Sequence, residues 1–352
     1  MGNEPATSRY VRQMTLPGIG EDGQKRLGES HAMVIGCGAL GCTSADLLVR
    51  AGVGRVTVID RDLVEHTNLH RQCLFTDADA ENHVPKASAA QSRLCAVNPQ
   101  IRVLGVVAEL NSINAEVLIE DGAFGKPDVI VDGTDNFETR YLLNDLSVMY
   151  ALPYVYGGAV GTSGMVAVFR PETTACLRCV FDEIPAPGSQ PTCTTAGVLA
   201  PVSSVVASFQ AAEAIKILVG ADDAVTTDLL MIDGWHNTTK RLSLLDAKDP
   251  ECVCCAGRRF EFLDATNPST VSLCGRQTIQ ITPGAVGVMD LVQLRANLAP
   301  HGEFEGAETM LRGRFDAEEG LGITIFGDGR ALIEGTDDPG VARAVYDRYI
   351  GT

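Results

Sequence analysis

The chain is short of several things, and each shortage narrows what it can be. Aromatic residues make up 5% of its 352 positions, with a single tryptophan, Trp235. Positive charge is in deficit: 28 Lys and Arg face 45 Asp and Glu, a formal net charge of −17. A nucleic-acid or anionic-membrane partner, which would require basic patches, is therefore not expected. No long uninterrupted apolar run occurs. The most apolar stretch, Val198 to Val219, is broken by Pro201, Gln210, Glu213 and Lys216 and reads as a buried helix, not a membrane span. Met1 to Leu16 carries Arg9 and Arg12 without an apolar centre, so no secretory leader is expected. Without one, the 11 cysteines point to thiols, metal ligands or a nucleophile, not a disulfide framework, and the cytoplasm is the expected compartment. The length suits one large domain plus a small one, and 45% hydrophobic residues suit a globular α/β protein.

What is present begins at His31. The apolar run His31 to Ile35 leads into Gly-Cys-Gly-Ala-Leu-Gly, residues 36–41, then a small-residue helical stretch, then a second apolar run, Arg55 to Ile59, closed by Asp60. Strand, glycine turn, helix, strand and a terminal acid form the pattern of a nucleotide-binding βαβ unit. Gly36 permits the tight turn, Gly38 lets backbone approach phosphates, and Gly41 lets the helix pack on the strand. The helix N-terminus offers N–H groups to an anion, and Asp60 can accept hydrogen bonds from a ribose. A nicotinamide dehydrogenase shares this much. It has no general need, however, for the cluster that follows, Asp60-Arg-Asp-Leu-Val-Glu-His-Thr-Asn-Leu-His-Arg-Gln72, whereas a metal-bound triphosphate does.

This stretch resembles the ThiF/MoeB adenylyltransferases, relatives of the ubiquitin-activating enzymes, whose pattern here is approximately D-x-D-x-V-x-x-x-N-L-x-R-Q. The resemblance spans about Ser8 to Gly257. It implies ATP as substrate, Mg²⁺ as cofactor, and a nucleotide site that includes Gly36, Gly38, Ala39, Gly41, Asp60, Asp62, Asn68 and Arg71. Ala39 departs mildly from a turn in which many members carry glycine. The opening Arg9-Tyr-Val-Arg-Gln13 reads by composition as a solvated arm. The resemblance implies instead that Arg12 reaches into the partner's active site in a homodimer, clamping the triphosphate with its guanidinium fork.

Farther along, Asp77 to Val84 reads as an acidic irregular loop, and Pro85 as the first position of a helix. Lys86 would ordinarily face solvent; the resemblance places its ammonium on the phosphates. Pro127 to Asn136 reads as a strand ending in a polar turn, at the carboxyl end where parallel sheets hold ligands. Asp135 or Asn136 can equally be a helix N-cap. By resemblance, Asp135 ligates Mg²⁺ and Asn136 touches the nucleotide, while Arg140 assists them or braces the helix. Tyr154 to Val160 and Gly164 to Arg170 read as antiparallel strands, and Asp228 to Asp233 and Thr239 to Leu245 as further strands of the main sheet.

Cys176-Leu-Arg-Cys179 and Cys252-Val-Cys-Cys255 are either redox pairs or the halves of a tetrahedral zinc site. The family arrangement implies zinc on Cys176, Cys179, Cys252 and Cys255, with Cys254 a competitor for one of the last two places. Cys193, in a Pro- and Thr-rich loop before a helix, is either an inert small residue or a nucleophile. The ThiF type is linked to covalent chemistry at this position and the MoeB type is not.

The expected architecture is α/β: a Rossmann-like, mixed and mostly parallel sheet with helices on both faces over residues 1–257, then a small α+β accessory domain over 258–352. In the second part, Thr278 to Ile281, Gly322 to Phe326 and Arg330 to Glu334 read as strands, Val288 to Leu298 and Pro339 to Tyr349 as helices, and Gly327-Asp-Gly329 as a hairpin turn. Cys274-Gly-Arg276 lacks the remainder of a rhodanese loop, and the chain does not end in the Gly-Gly of a fused carrier. The implied activity is ATP-dependent adenylation of the C-terminal glycine of a ubiquitin-like sulfur-carrier protein, for thiamine or molybdopterin biosynthesis, with Arg12, Arg71, Lys86, Asp135 and Cys193 as the working residues. The rivals are an NAD oxidoreductase, which leaves Arg71, Lys86 and the paired cysteines unexplained, and a non-catalytic scaffold, which leaves Arg71, Lys86 and Asp135 without purpose. A transfer-RNA-modifying relative would want a basic face that this acidic chain does not advertise.

Overall fold

A computed structural model describes residues 9–182, 196–264, 270–272, 277–283, 289–307, 309–318 and 320–351. The chain divides into two compact units, Met1–Ala265 and Thr266–Thr352. In the first, β1 (His31–Ile35), β2 (Arg55–Asp60), β3 (Arg102–Val107), β4 (Val129–Asp132), β5 (Tyr154–Val160), β6 (Ser163–Phe169), β7 (Asp228–Asp233) and β8 (Thr238–Ser243) form one sheet, in the order β3-β2-β1-β4-β5-β6-β7-β8. From β3 to β5 every pairing is parallel; from β5 to β8 every pairing is antiparallel. The change follows from the connections. Helices cross between the parallel strands, whereas a two-residue turn can only return β5 onto β6 antiparallel.

β1 and β4 are buried at every residue, as expected of central strands covered on both faces. Alternate side chains separate two cores. Val34 and Val131 pack with Ala45 and Leu48 of the helix Ala39–Ala51 and with Ala214 and Leu218 of the helix Ala200–Val219. Met33, Ile35 and Ile130 pack with Tyr141, Leu142 and Leu146 of the helix Phe137–Tyr150. The strand order reverses between β1 and β4, so a crevice lies outside their carboxyl ends.

That crevice is held by a buried polar network at the end of β4. Asp132 is fully buried; its Oδ1 accepts from the Thr134 amide at 2.8 Å and the Thr134 hydroxyl at 2.7 Å, and its Oδ2 from the Tyr154 hydroxyl at 2.7 Å. Arg140 Nε lies 3.4 Å from the same carboxylate, and Arg140 Nη2 donates to the carbonyls of Thr134 at 2.8 Å and Gly157 at 3.1 Å. Gln210 donates to the Asp132 carbonyl at 2.7 Å. Burial pushes the Asp132 carboxyl above its ordinary value, and the Arg140 charge opposes that rise.

Three local readings are corrected. Asp77 to Val84 is not wholly irregular: Asp77–Glu81 is a short helix, because Thr76 and Asp79 cap each other reciprocally. Pro85 is the N-cap, not the first residue, of the helix Lys86–Val97. The first unit also runs past residue 257. The Phe262 ring stacks on Tyr141 at 4.9 Å, the Phe262 amide donates to Asp145 at 2.9 Å, and Arg258 donates to the Val148 carbonyl at 3.1 Å.

The second unit is an antiparallel sheet of β9 (Thr270–Ser272), β10 (Thr278–Ile281), β11 (Gly302–Ala307), β12 (Met310–Phe315), β13 (Gly322–Phe326) and β14 (Ala331–Glu334), ordered β11-β12-β13-β14-β10-β9. The helices Leu291–Leu298 and Pro339–Tyr349 share a core with Ile279, Ile281, Ile323, Ile325 and Ile333. The Gly327–Gly329 turn joins β13 to β14, with Gly329 at φ +82. Cys274 lies outside the described residues.

The network at the end of β4 yields a stability expectation. Arg140→Met leaves the buried Asp132 carboxylate uncompensated and should cost about 3–5 kcal/mol, read by chemical denaturation. Asp132→Asn with Arg140→Met should recover part of that loss.

Candidate functional site

The turn after β1 is built on close backbone contact. Gly36 has φ +84, and a Cβ there would lie 2.8 Å from the Gly133 carbonyl carbon. A Cβ on Gly41 would lie 1.8 Å from the Gly36 oxygen, so the helix can pack on the turn only at glycine. Gly38 differs. It has φ −80, and the nearest atoms to a Cβ would be the Gly133 oxygen at 3.7 Å and Gln72 Nε2 at 3.9 Å. Neither backbone nor packing requires glycine at 38; the space in front of it is what an added methyl would fill. The helix that starts at Ala39 has no side-chain cap and no acid in its first turn. Its leading N–H groups are therefore available to an anion. Ala39 fits as the opening residue of that helix.

Asp60, at the end of β2, is buried and already occupied. Its Oδ2 accepts from the Cys37 amide at 2.6 Å and its Oδ1 from the Asp62 amide at 2.7 Å. It ties the glycine turn to β2, a role that the ribose reading of Asp60 did not include. Lys86 is buried with its Nζ 2.9 Å from Asp62 Oδ2, and its own amide donates to the Asp62 carbonyl at 2.9 Å. Burial alone would lower the Lys86 pKa, but Asp60 and Asp62 outweigh it and hold the ammonium charged. Lys86 is thus a desolvated cation beside the turn, not a solvent-facing lysine.

Arg71 is half-buried on the loop after β2. It donates to Asn68 Oδ1 at 2.8 Å and to the Thr67 carbonyl at 3.0 Å, and its Nη1 lies 2.8 Å from His70 Nε2. Asn68 therefore orients Arg71. At the end of β4, Asn136 caps the helix Phe137–Tyr150, accepting from the Thr139 amide at 2.8 Å, which decides the capping alternative in its favour. Asp135 is exposed and makes no hydrogen bond among the described residues. Arg61 feels the charges of both Asp62 and Asp135, which brings the ends of β2 and β4 into one electrostatic neighbourhood. Arg140 is a brace of the β4 turn.

Arg12 does not join this group within its own chain. It is exposed on the short helix Val11–Met14, whose neighbour Gln13 donates to the Ala51 carbonyl at 2.8 Å. Ala51 is the last residue of the 13-residue helix that begins at the glycine turn. At 1.5 Å per residue, the two ends are about 18 Å apart. Cys193 lies outside the described residues.

The cysteines gather beside the helix Phe137–Tyr150. Cys176 Sγ lies 3.8 Å from Cys179 Sγ and 3.7 Å from Cys252 Sγ, and Cys179 Sγ lies 3.5 Å from Cys255 Sγ. All four sulfurs fall within 4.8 Å of one another. A tetrahedral zinc with arms of about 2.3 Å has sulfur–sulfur edges of about 3.8 Å, so the donor set fits that ion. Cys254 is turned to other partners: it lies 3.2 Å from Asn144 Nδ2 and donates to Asp145 at 3.3 Å. Cys255, not Cys254, completes the set. Hydrogen bonding to Cys176 and burial push the Cys179 thiol up to about 12, so a cation that bound here would have to displace protons.

Sequence reasoning missed Asp132, Gln210, Arg61 and Glu109 as parts of the site's frame. For the first two a signal existed, a polar residue ending or interrupting an apolar run.

Comparison with known proteins identifies the family. The ThiF family matches residues 10–254. The Bacillus subtilis sulfur carrier protein ThiS adenylyltransferase is 39% identical over 98% of this chain and 100% of its own length. A Thermus thermophilus sulfur carrier protein adenylyltransferase is 41% identical over 70% of this chain and 90% of its own. A crystal structure of E. coli MccB with MccA-N7isoASN superposes with a TM-score of 0.61 at 22% identity, over 72% of this chain and 76% of that one, and speaks for the fold alone. By its sequence motifs, its sheet and its relatives, the chain belongs to the ThiF family.

Proposed function

We infer that the protein is an ATP-dependent adenylyltransferase that activates the C-terminal glycine of a ubiquitin-like sulfur-carrier protein. The observation that supports this reading is an uncapped helix N-terminus packed through Gly36 and Gly41 against Gly133 at the end of β4, with a buried Lys86 ammonium at the end of β2 and the exposed Asp135 two residues beyond Gly133. The relative matched over its whole length, second unit included, carries the ThiS name, which favours a ThiS-like carrier and hence thiamine biosynthesis over molybdopterin.

The carrier's ionised carboxylate attacks the α-phosphorus of ATP. A carboxyl-oxygen-to-phosphorus bond forms, the α–β bridging bond breaks with its electron pair on pyrophosphate, and the product is an acyl-adenylate. No general base is required. The chain's contribution is positioning and charge neutralisation: the helix N-terminus and Lys86 on the phosphates, and Arg71, oriented by Asn68, on the leaving pyrophosphate. Asp135 would hold Mg²⁺, which neutralises phosphate charge when bound. Asn136 serves the nucleotide through the helix start that it caps. Arg12, at the far end of the nucleotide helix, would serve the partner's site in a homodimer. Zinc on Cys176, Cys179, Cys252 and Cys255 would be structural. Cys193 would be the acceptor of the activated acyl group if this chain follows the ThiF type.

Four measurements test this reading. Carrier-dependent ATP–pyrophosphate exchange should fall at least 100-fold in Arg71→Ala with little change in melting temperature; wild-type exchange in that variant would refute the assignment. Mixing Arg12→Ala with Arg71→Ala should restore part of the exchange that neither variant shows alone, because mixed dimers keep one site with both arginines; no recovery on mixing places Arg12 outside the partner's site. Gly38→Ala should fold normally and lose ATP-induced thermal stabilisation, whereas Gly41→Ala should fail to fold stably. For the metal, Cys176→Ser should abolish stoichiometric zinc by elemental analysis, while Cys254→Ser should retain it.

A further inference from the structure

Arg61 has no part in the chemistry above, yet it occupies a defined place in the site. It follows Asp60 directly, at the carboxyl end of β2, where β2 pairs with β3 through Asp60 and Val107. Its Nη1 donates to Glu109 Oε1, two residues beyond β3, and its Nε lies 3.7 Å from Asp62 Oδ1. The guanidinium thus spans the ends of two adjacent strands, with carboxylates at its edges. Its side chain is 35% exposed. In a sheet of this order, the phosphates sit at the turn after β1 and the ribose beside the acid that ends β2, so the base lies beyond that acid. That is where Arg61 and Glu109 are.

Resting on the adenylation reading, we propose that the Arg61–Glu109 pair forms a wall of the base subsite, with the flat face of the guanidinium stacking on a purine. A guanidinium whose edges are engaged by carboxylates is poorly suited to grip phosphate, but it presents a fixed plane. Arginine stacks on π-systems through that plane, and lysine, a point charge on a flexible stem, does not. Glu109 fixes the orientation of the plane, and is therefore a positioning residue. A purine offers a larger stacking surface than a pyrimidine, so the pair would contribute to choice of base as well as to affinity.

The test is ATP–pyrophosphate exchange with the full chain and carrier, with ATP and CTP as competing nucleotides and thermal shift as an independent measure of binding. Arg61→Ala should raise the KM for ATP about tenfold, leave kcat within about twofold, and narrow the preference for ATP over CTP. Arg61→Lys should behave like Arg61→Ala, and Glu109→Ala should show a smaller rise in KM of the same sign. Full rescue by lysine would overturn the proposal, because charge and not the plane would then be what matters. So would an unchanged KM and base preference in Arg61→Ala, or a loss confined to kcat. If wild-type protein showed neither exchange nor stabilisation by ATP, the adenylation reading itself would fail. Wild-type exchange that is indifferent to Arg61 would sink only the base-wall assignment.

Discussion

Three stretches of backbone meet without side chains between them, and the site exists because they can. Gly36 belongs to the turn after β1, Gly41 to the first helical turn beyond it, and Gly133 to the end of β4. A Cβ on Gly133 would sit 2.3 Å from the Gly36 oxygen and 2.9 Å from the Gly41 Cα, and Gly36 and Gly41 are equally constrained in return. This contact lies at the point where strand order reverses. It brings the helix N-terminus within the same crevice as the polar turn that follows β4. Any side chain at one of these positions would push the two carboxyl ends apart and open the crevice that nucleotide binding requires.

Charge is arranged around that contact in two layers. The inner layer is buried and self-compensated: Asp132 with Arg140, and Asp60 held by two backbone amides. Removing either partner of a buried pair exposes the other to an uncompensated desolvation cost, so this layer resists change. The outer layer, Lys86 with Asp62 and Arg71 with Asn68, has the same kinds of groups but looser commitments. Asp62 is more than half exposed, and a phosphate could replace it as the partner of Lys86 at little expense. A buried ammonium whose existing partner is solvent-accessible is well suited to exchange one anion for another.

The legibility of this protein in its sequence followed the range of the interactions involved. The glycine turn, the strands β1, β2, β4 and β5, and the grouping of the paired cysteines were readable because each rests on local spacing or on a strong motif. The reciprocal cap of Thr76 and Asp79 was present in the sequence and passed over because the stretch around it is acidic and short. β11 and β12 were not anticipated: Gly302, Gly306 and Gly313 lie within them, and glycine ordinarily argues against a strand interior. Here the glycines admit a close backbone approach, since a Cβ on Gly313 would lie 2.2 Å from the Glu303 carbonyl oxygen. Arg61 with Glu109 and Gln210 with Asp132 are separated by 48 and 78 residues, and no spacing rule brings such pairs together. Capping decided between Asp135 and Asn136 only once a helix start could be seen.

Fixed contacts flank residues 183–195, which lie outside the described range, on both sides. On the upstream side, Cys176 and Cys179 are gathered with Cys252 and Cys255, which lie 76 residues farther along the chain. On the downstream side, Gly161 donates to the Gly197 carbonyl at 2.9 Å and accepts from the Leu199 amide at 2.8 Å, immediately before the helix Ala200–Val219. The upstream flank is tied to residues 252–255 and, through the Leu177 amide, to Asn144 of the helix Phe137–Tyr150, and the downstream flank to the end of β5. Cross-linking distant segments is most effective when the loop it closes is long, and a four-sulfur site that joins residue 176 to residue 252 closes such a loop. Hydrogen bonding and burial hold thiols such as Cys179 protonated, so a cation binding there would displace their protons.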